Sequence, residues 1–83
     1  MSQADEIREF ANQEFIRPAR EALSKAVTIR AGDVHDMMGL TDKMPAVCSA
    51  IGSNIFEKKY RVHRIDRRGP TSGANVFFTF GID

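Results

Sequence analysis

At 83 residues the chain has room for one compact domain and not for two. Its 42% hydrophobic and 28% charged residues match an ordinary globular domain and exclude disorder along most of its length. A formal net charge of +1 excludes a uniformly basic or acidic protein, so any face for a polyanion must come from the distribution of charge.

That distribution is uneven. Within residues 58–68, Lys58, Lys59, Arg61, Arg64, Arg67 and Arg68 are opposed only by Asp66, while Asp5, Glu6, Glu9, Glu14 and Glu21 crowd the leading segment. The lone cysteine, Cys48, has no partner for an internal disulfide and falls in an apolar pattern, which points to a reducing compartment. No apolar run approaches the ~20 residues that span a bilayer. Residues 1–6 lack the basic start and apolar stretch of a signal peptide. The expected location is therefore cytoplasmic.

The first segment, 1–26, reads as a helix. Ile7, Phe10, Ala11, Phe15, Ala19, Ala22, Leu23 and Ala26 recur at spacings of three and four. Ser2 suits the N-cap, and Asp5 and Glu6 suit the positive end of the helix dipole. Pro18 removes a backbone donor and should kink or briefly break this helix. Val27-Thr28-Ile29-Arg30 is short and β-branched and reads as a strand. Gly32-Asp33 opens a second helix with Val34, Met37 and Met38 apolar, and Gly39 is placed to end it in a left-handed conformation. The three methionines Met37, Met38 and Met44 read as core filling.

Thr41 or Asp42 can cap a third helix, whose first turn tolerates Pro45. Met44, Val47, Cys48 and Ile51 form its inner stripe. Gly52-Ser53-Asn54 ends this helix or bends it into a last turn through Ile55, Phe56 and Tyr60. Residues 61–66 have strand character, but Val62 and Ile65 fall on opposite faces unless a bulge intervenes. Residues 67–75, with Gly69, Pro70, Thr71, Ser72 and Gly73, read as a loop. In the last strand Val76, Phe78, Phe80 and Ile82 share one face, and Phe77 and Thr79 the other.

The order helix, strand, helix, turn, helix, hairpin resembles the winged helix-turn-helix family of DNA-binding domains. The residues that carry the resemblance are Ala31 to Leu40 for the first motif helix, Thr41 to Lys43 for the turn, and Met44 to Ser53 for the second. The resemblance implies one α+β domain over 1–83, with three helices, a short strand and a two-stranded wing hairpin over 61–82. The helix-turn-helix would occupy 31–54. It also implies that the second motif helix enters the major groove of duplex DNA while the wing meets the backbone.

On that reading Lys43, Lys58, Lys59, Arg64, Arg67 and Arg68 are the phosphate contacts, and Thr71 and Ser72 sit at the wing tip. The outward face of the second motif helix would be Lys43, Pro45, Ala46, Ser49, Ala50, Ser53 and Asn54. It carries no arginine or glutamine, the side chains that best discriminate bases, so sequence reading by this helix alone should be weak.

Other chemistries find less support. His35, Asp33, Asp36, Cys48 and His63 lack metal-ligand spacing, and His35 and Asp36 read as surface residues. Cys48 in an apolar setting is a poor nucleophile. There is no phosphate-cradling glycine loop and no sign of a cofactor or small-molecule substrate. Enzymatic activity is not expected. The main rival is a protein-interaction module on the same fold. A second is RNA binding, with Phe77 as a stacking platform. The first helix can also pair two chains into a homodimer.

Overall fold

The computed structural model describes residues 1–83. Its order is α1 (Gln3–Ala11), a π-helical segment (Asn12–Ile16), α2 (Arg17–Glu21), β1 (Ala26–Arg30), α3 (Ala31–Met37), α4 (Met44–Ile51), α5 (Asn54–Tyr60), β2 (Val62–Arg68) and β3 (Phe77–Ile82). The architecture is α+β, with helices against one face of a three-stranded antiparallel sheet of order β1-β3-β2. No helix is long and apolar enough to cross a membrane.

The leading helix starts as its sequence dictates. The Ser2 hydroxyl accepts from the Asp5 amide at 3.1 Å, and the Asp5 carboxylate accepts in return from the Ser2 amide at 3.4 Å. Asp5 also pairs with Arg8 at 2.8 Å. These contacts, the Arg8 bond first, hold the Asp5 carboxyl down at about 2.

The helical segment is interrupted just before Pro18, by a π-helical stretch between α1 and α2. The turn before Pro18 widens, so that the Arg17 amide donates to the carbonyl of Asn12, five residues back. A wider turn makes room for a proline ring that would otherwise collide with the carbonyl four residues earlier. The extra residue rotates everything after it. Ile16 is therefore fully buried, while Phe15 is only half-buried and Ala22, Leu23 and Ala26 are exposed. The expected inner stripe thus holds for Ile7 and Ala11, in part for Phe10 and Phe15, which pack on the core half-buried, and fails from Ala22 onward. Leu23, with φ of 60°, leaves the helix in a left-handed conformation.

Beyond β1, the start of α3 docks onto the far end of the hairpin. The Ala31 and Gly32 amides donate to the carbonyls of Val76 and Ala74. Gly39 takes the expected left-handed conformation after α3, with φ of +68°. Neither Thr41 nor Asp42 caps α4. The N-cap is Lys43, without a side-chain cap, and Asp42 itself is left-handed. The turn is closed instead by His35, whose Nε2 accepts from the Lys43 amide at 3.2 Å. His35 is consequently buried and not a surface residue, whereas Asp36 is exposed. Of the three methionines, Met38 and Met44 pack on the core, but Met37 is exposed.

The third expected helix is two helices. Gly52 stops α4, and the Ser53 hydroxyl caps α5 through the Phe56 amide at 3.4 Å. α5 buries Phe56 and Tyr60 and ends at Arg61 in a left-handed cap. Arg20 donates to the carbonyls of Tyr60 and Arg61, each at 3.1 Å, satisfying acceptors at that end.

The hairpin is also larger than expected, because β1 joins it along β3 and makes a three-stranded sheet. Val76, Phe78 and Phe80 are buried and Ile82 half-buried, as their alternation requires. The core gathers Phe56, Phe78 and Phe80 with Ile7, Ile16, Ile29, Val34, Val47 and Ile51. The Phe56 and Phe80 rings meet at 5.1 Å between centroids in a tilted arrangement.

Candidate functional site

The register of β2 on β3 decides where the cations of the hairpin go. Val62, Arg64 and Arg67 lie opposite Ile82, Phe80 and Phe78, and His63, Asp66 and Arg68 lie opposite Gly81, Thr79 and Phe77. A bulge between Arg64 and Asp66 makes this possible. In a regular strand, residues three apart point to opposite faces. The extra residue, Ile65, is left 58% exposed, and Arg67 returns to the face of Arg64. The bulge thus places two arginines on the helix-bearing side of the sheet.

On that side lies a cleft of about 580 Å³ between α4, β2 and the 69–73 loop. Pro45, Ser49 and Gly52 supply one wall, Arg64 and Arg67 another, and Thr71 and Ser72 the rim. Ser53, Cys48 and Phe78 complete the lining, which contains two guanidinium groups and no carboxylate. The Arg64 backbone amide donates to Glu57 at 2.8 Å, but Glu57 does not line the cleft. The Arg64 guanidinium makes no hydrogen bond within the chain and is exposed beside Gly52. Arg67 is half-buried, its guanidinium 5.6 Å from the Phe78 ring centroid.

Of the residues singled out from sequence, Pro45, Ser49, Ser53, Arg64, Arg67, Thr71 and Ser72 come together here. The others do not. Ala50 is buried at 2% exposure and cannot belong to an outward face. It follows Ser49 by one residue, about 100° round the helix, which carries it to the core. Ala46 is half-buried and packs on the core. Lys43 is exposed at the start of α4, outside the cleft lining. Asn54, Lys58 and Lys59 are exposed on α5, and the Lys59 ammonium lies 5.6 Å from the Tyr60 ring centroid. Arg68 is on the opposite sheet face, paired with Asp66 at 2.8 Å. That pairing, with the Arg67 amide second, holds the Asp66 carboxyl below its ordinary range.

Gly52, Cys48 and Phe78 were missed as lining residues. The first two were within reach of sequence reasoning, since 45, 48, 49 and 52 share one stripe of a helix. The role of Phe78 needed the fold. Three His, Cys, Asp or Glu side chains that could jointly hold a metal ion do not converge anywhere in the chain.

The opposite sheet face is different in character. Thr28, Ile65, Asp66, Arg68, Phe77 and Thr79 line a second hollow there. Phe77 is 37% exposed and Thr28 bonds Thr79 at 3.0 Å.

No protein-family model matches the chain, and no curated protein or solved structure matches it either.

Proposed function

We propose that the chain is a winged helix-turn-helix domain that binds nucleic acid without catalysing a reaction, double-stranded DNA being its ligand. Such a domain would act as a small cytoplasmic regulator of transcription. The observation that carries this reading is the cleft itself. Arg64 and Arg67 stand beside the exposed face of α4, with hydroxyls of Ser49, Ser53, Thr71 and Ser72 around them and no acid in the lining. A phosphodiester backbone offers anionic oxygens that suit both groups, and guanidinium forks match phosphate geometry.

The topology supports the same reading. Two short helices joined by a tight turn precede a hairpin whose cationic face looks onto the second of them. The small side chains of α4 allow close approach of a helix to a groove and carry little base discrimination. Binding should therefore be governed by phosphate contacts and released by salt.

Titration of a labelled random-sequence duplex at several salt concentrations tests this. A steep fall of affinity with salt is expected, lessened by Arg64→Ala. Absence of binding at low salt would remove the reading. Single-stranded RNA is the second ligand to compete, because Phe77 is exposed on the open sheet face between Arg30 and Arg68. RNA that outcompetes duplex, with loss on Phe77→Ala, would move the site to that face.

A further inference from the structure

The 69–73 loop that rims the cleft has almost nothing of its own to hold it. None of its residues takes part in a backbone–backbone hydrogen bond. Its carbonyls receive two side chains only. The Cys48 thiol reaches Gly73 at 3.9 Å, a weak contact. Arg67 does the rest, donating to the carbonyls of Pro70 at 2.8 Å and Thr71 at 2.7 Å, with Gly69 at 3.5 Å.

A guanidinium committed to these carbonyls has few donors left for a ligand. Arg67 is also fixed from below by the Phe78 ring. Arg64, three residues earlier on the same face, spends only its backbone amide, on Glu57, and keeps its guanidinium donors free. The two arginines of the cleft are therefore not equivalent.

We propose that Arg67 is the positioning residue of the cleft, ordering the 69–73 loop so that Thr71 and Ser72 face the ligand, while Arg64 is the cation that contacts the phosphate. This rests on the nucleic-acid reading for the ligand, but the ordering of the loop belongs to the free protein. A charge alone does not supply it. The planar fork is what spans adjacent carbonyls, and lysine lacks it.

Three variants separate the roles: Arg67→Lys, Arg67→Ala and Arg64→Ala. In the free protein, backbone order parameters of Thr71, Ser72 and Gly73 are expected to fall from the rigid range near ~0.85 to ~0.6 or below in both Arg67 variants. Arg64→Ala should leave them unchanged. With a short random-sequence DNA duplex, both Arg67 variants should weaken binding roughly tenfold with the salt slope retained, whereas Arg64→Ala lowers that slope by about one. The proposal is overturned if Arg67→Lys keeps the loop order and affinity of the parent, or if Arg67→Ala itself removes a unit of salt slope. If the parent binds no duplex at all, the proposed function fails, and the loop order parameters still decide the role of Arg67.

Discussion

The Tyr60 hydroxyl donates to Oε2 of Glu9 at 2.7 Å, fastening the last turn of α5 to the leading helix. Burial first, and then this bond, push the Tyr60 phenol up to about 12. The same bond, with a second from Gln13, lowers the Glu9 carboxyl below its ordinary range. Because the Glu9 value is depressed on folding, its contribution is present above an ordinary carboxylate pKa and is lost as pH falls through the folded value. For Tyr60 the folded value is raised, so its contribution is complete below pH 10 and is lost as pH rises through about 12. Tyr60→Phe should cost about 1 kcal/mol near neutrality. It should also make the acid limb of stability shallower and remove the alkaline loss assigned to this phenol. Urea unfolding at several pH values measures all three.

The rotation introduced before Pro18 can be read by contrast between two side chains. Ile16 is fully buried, so Ile16→Ala should destabilise by about 2 to 4 kcal/mol. Leu23 is 88% exposed and left-handed, a conformation that suits glycine better. Leu23→Gly should leave the protein as stable as the parent or up to about 1 kcal/mol more stable. Thermal unfolding of both variants checks the register, since an unbroken α-helix would set Ile16 about 180° from Ile7, facing away from the core.

Gly52 floors the cleft where nothing larger fits. A Cβ there would stand 2.9 Å from the Cys48 carbonyl oxygen and 3.2 Å from Cε1 of Phe78. The oxygen belongs to the backbone and the ring to the core, so neither can yield easily. Gly52→Ala should destabilise by about 1 to 3 kcal/mol. Chemical denaturation provides the test, and a variant as stable as the parent would contradict the packing of α4 on β3.

Arg68 and Arg64 look alike in sequence but lie on opposite faces of the sheet. Arg68→Ala should change duplex affinity by less than about twofold, while Arg64→Ala should weaken it about fivefold or more at low salt. Equal losses would mean that the ligand wraps the hairpin and is not confined to the cleft.

Much of the local structure was legible in the residues. The Ser2 cap, the left-handed Gly39, the proline in the first turn of α4 and the alternation of β3 each follow from short-range chemistry. The site was legible only in part. Arg64, Arg67, Ser49, Ser53, Thr71 and Ser72 could be nominated as polar residues in the right elements, but so could Lys58, Lys59 and Arg68, which with the apolar Ala50 do not line the cleft. Composition does not say which side of a strand a cation occupies when a bulge interrupts the count.

The sequence by itself determined where strands and most helices form, because caps, turn glycines and apolar spacing act over a few residues. Only the tertiary structure decided the phase of the leading helix beyond Asn12, the split of α4 from α5, the pairing of β1 with β3 and the face of Arg67. Each of these depends on a shift of one residue or on a long-range pairing. A single residue reverses a strand face or turns a helix by about 100°, and which alternative prevails is set by the packing of Ile16, Phe56, Phe78 and Phe80 in a shared core.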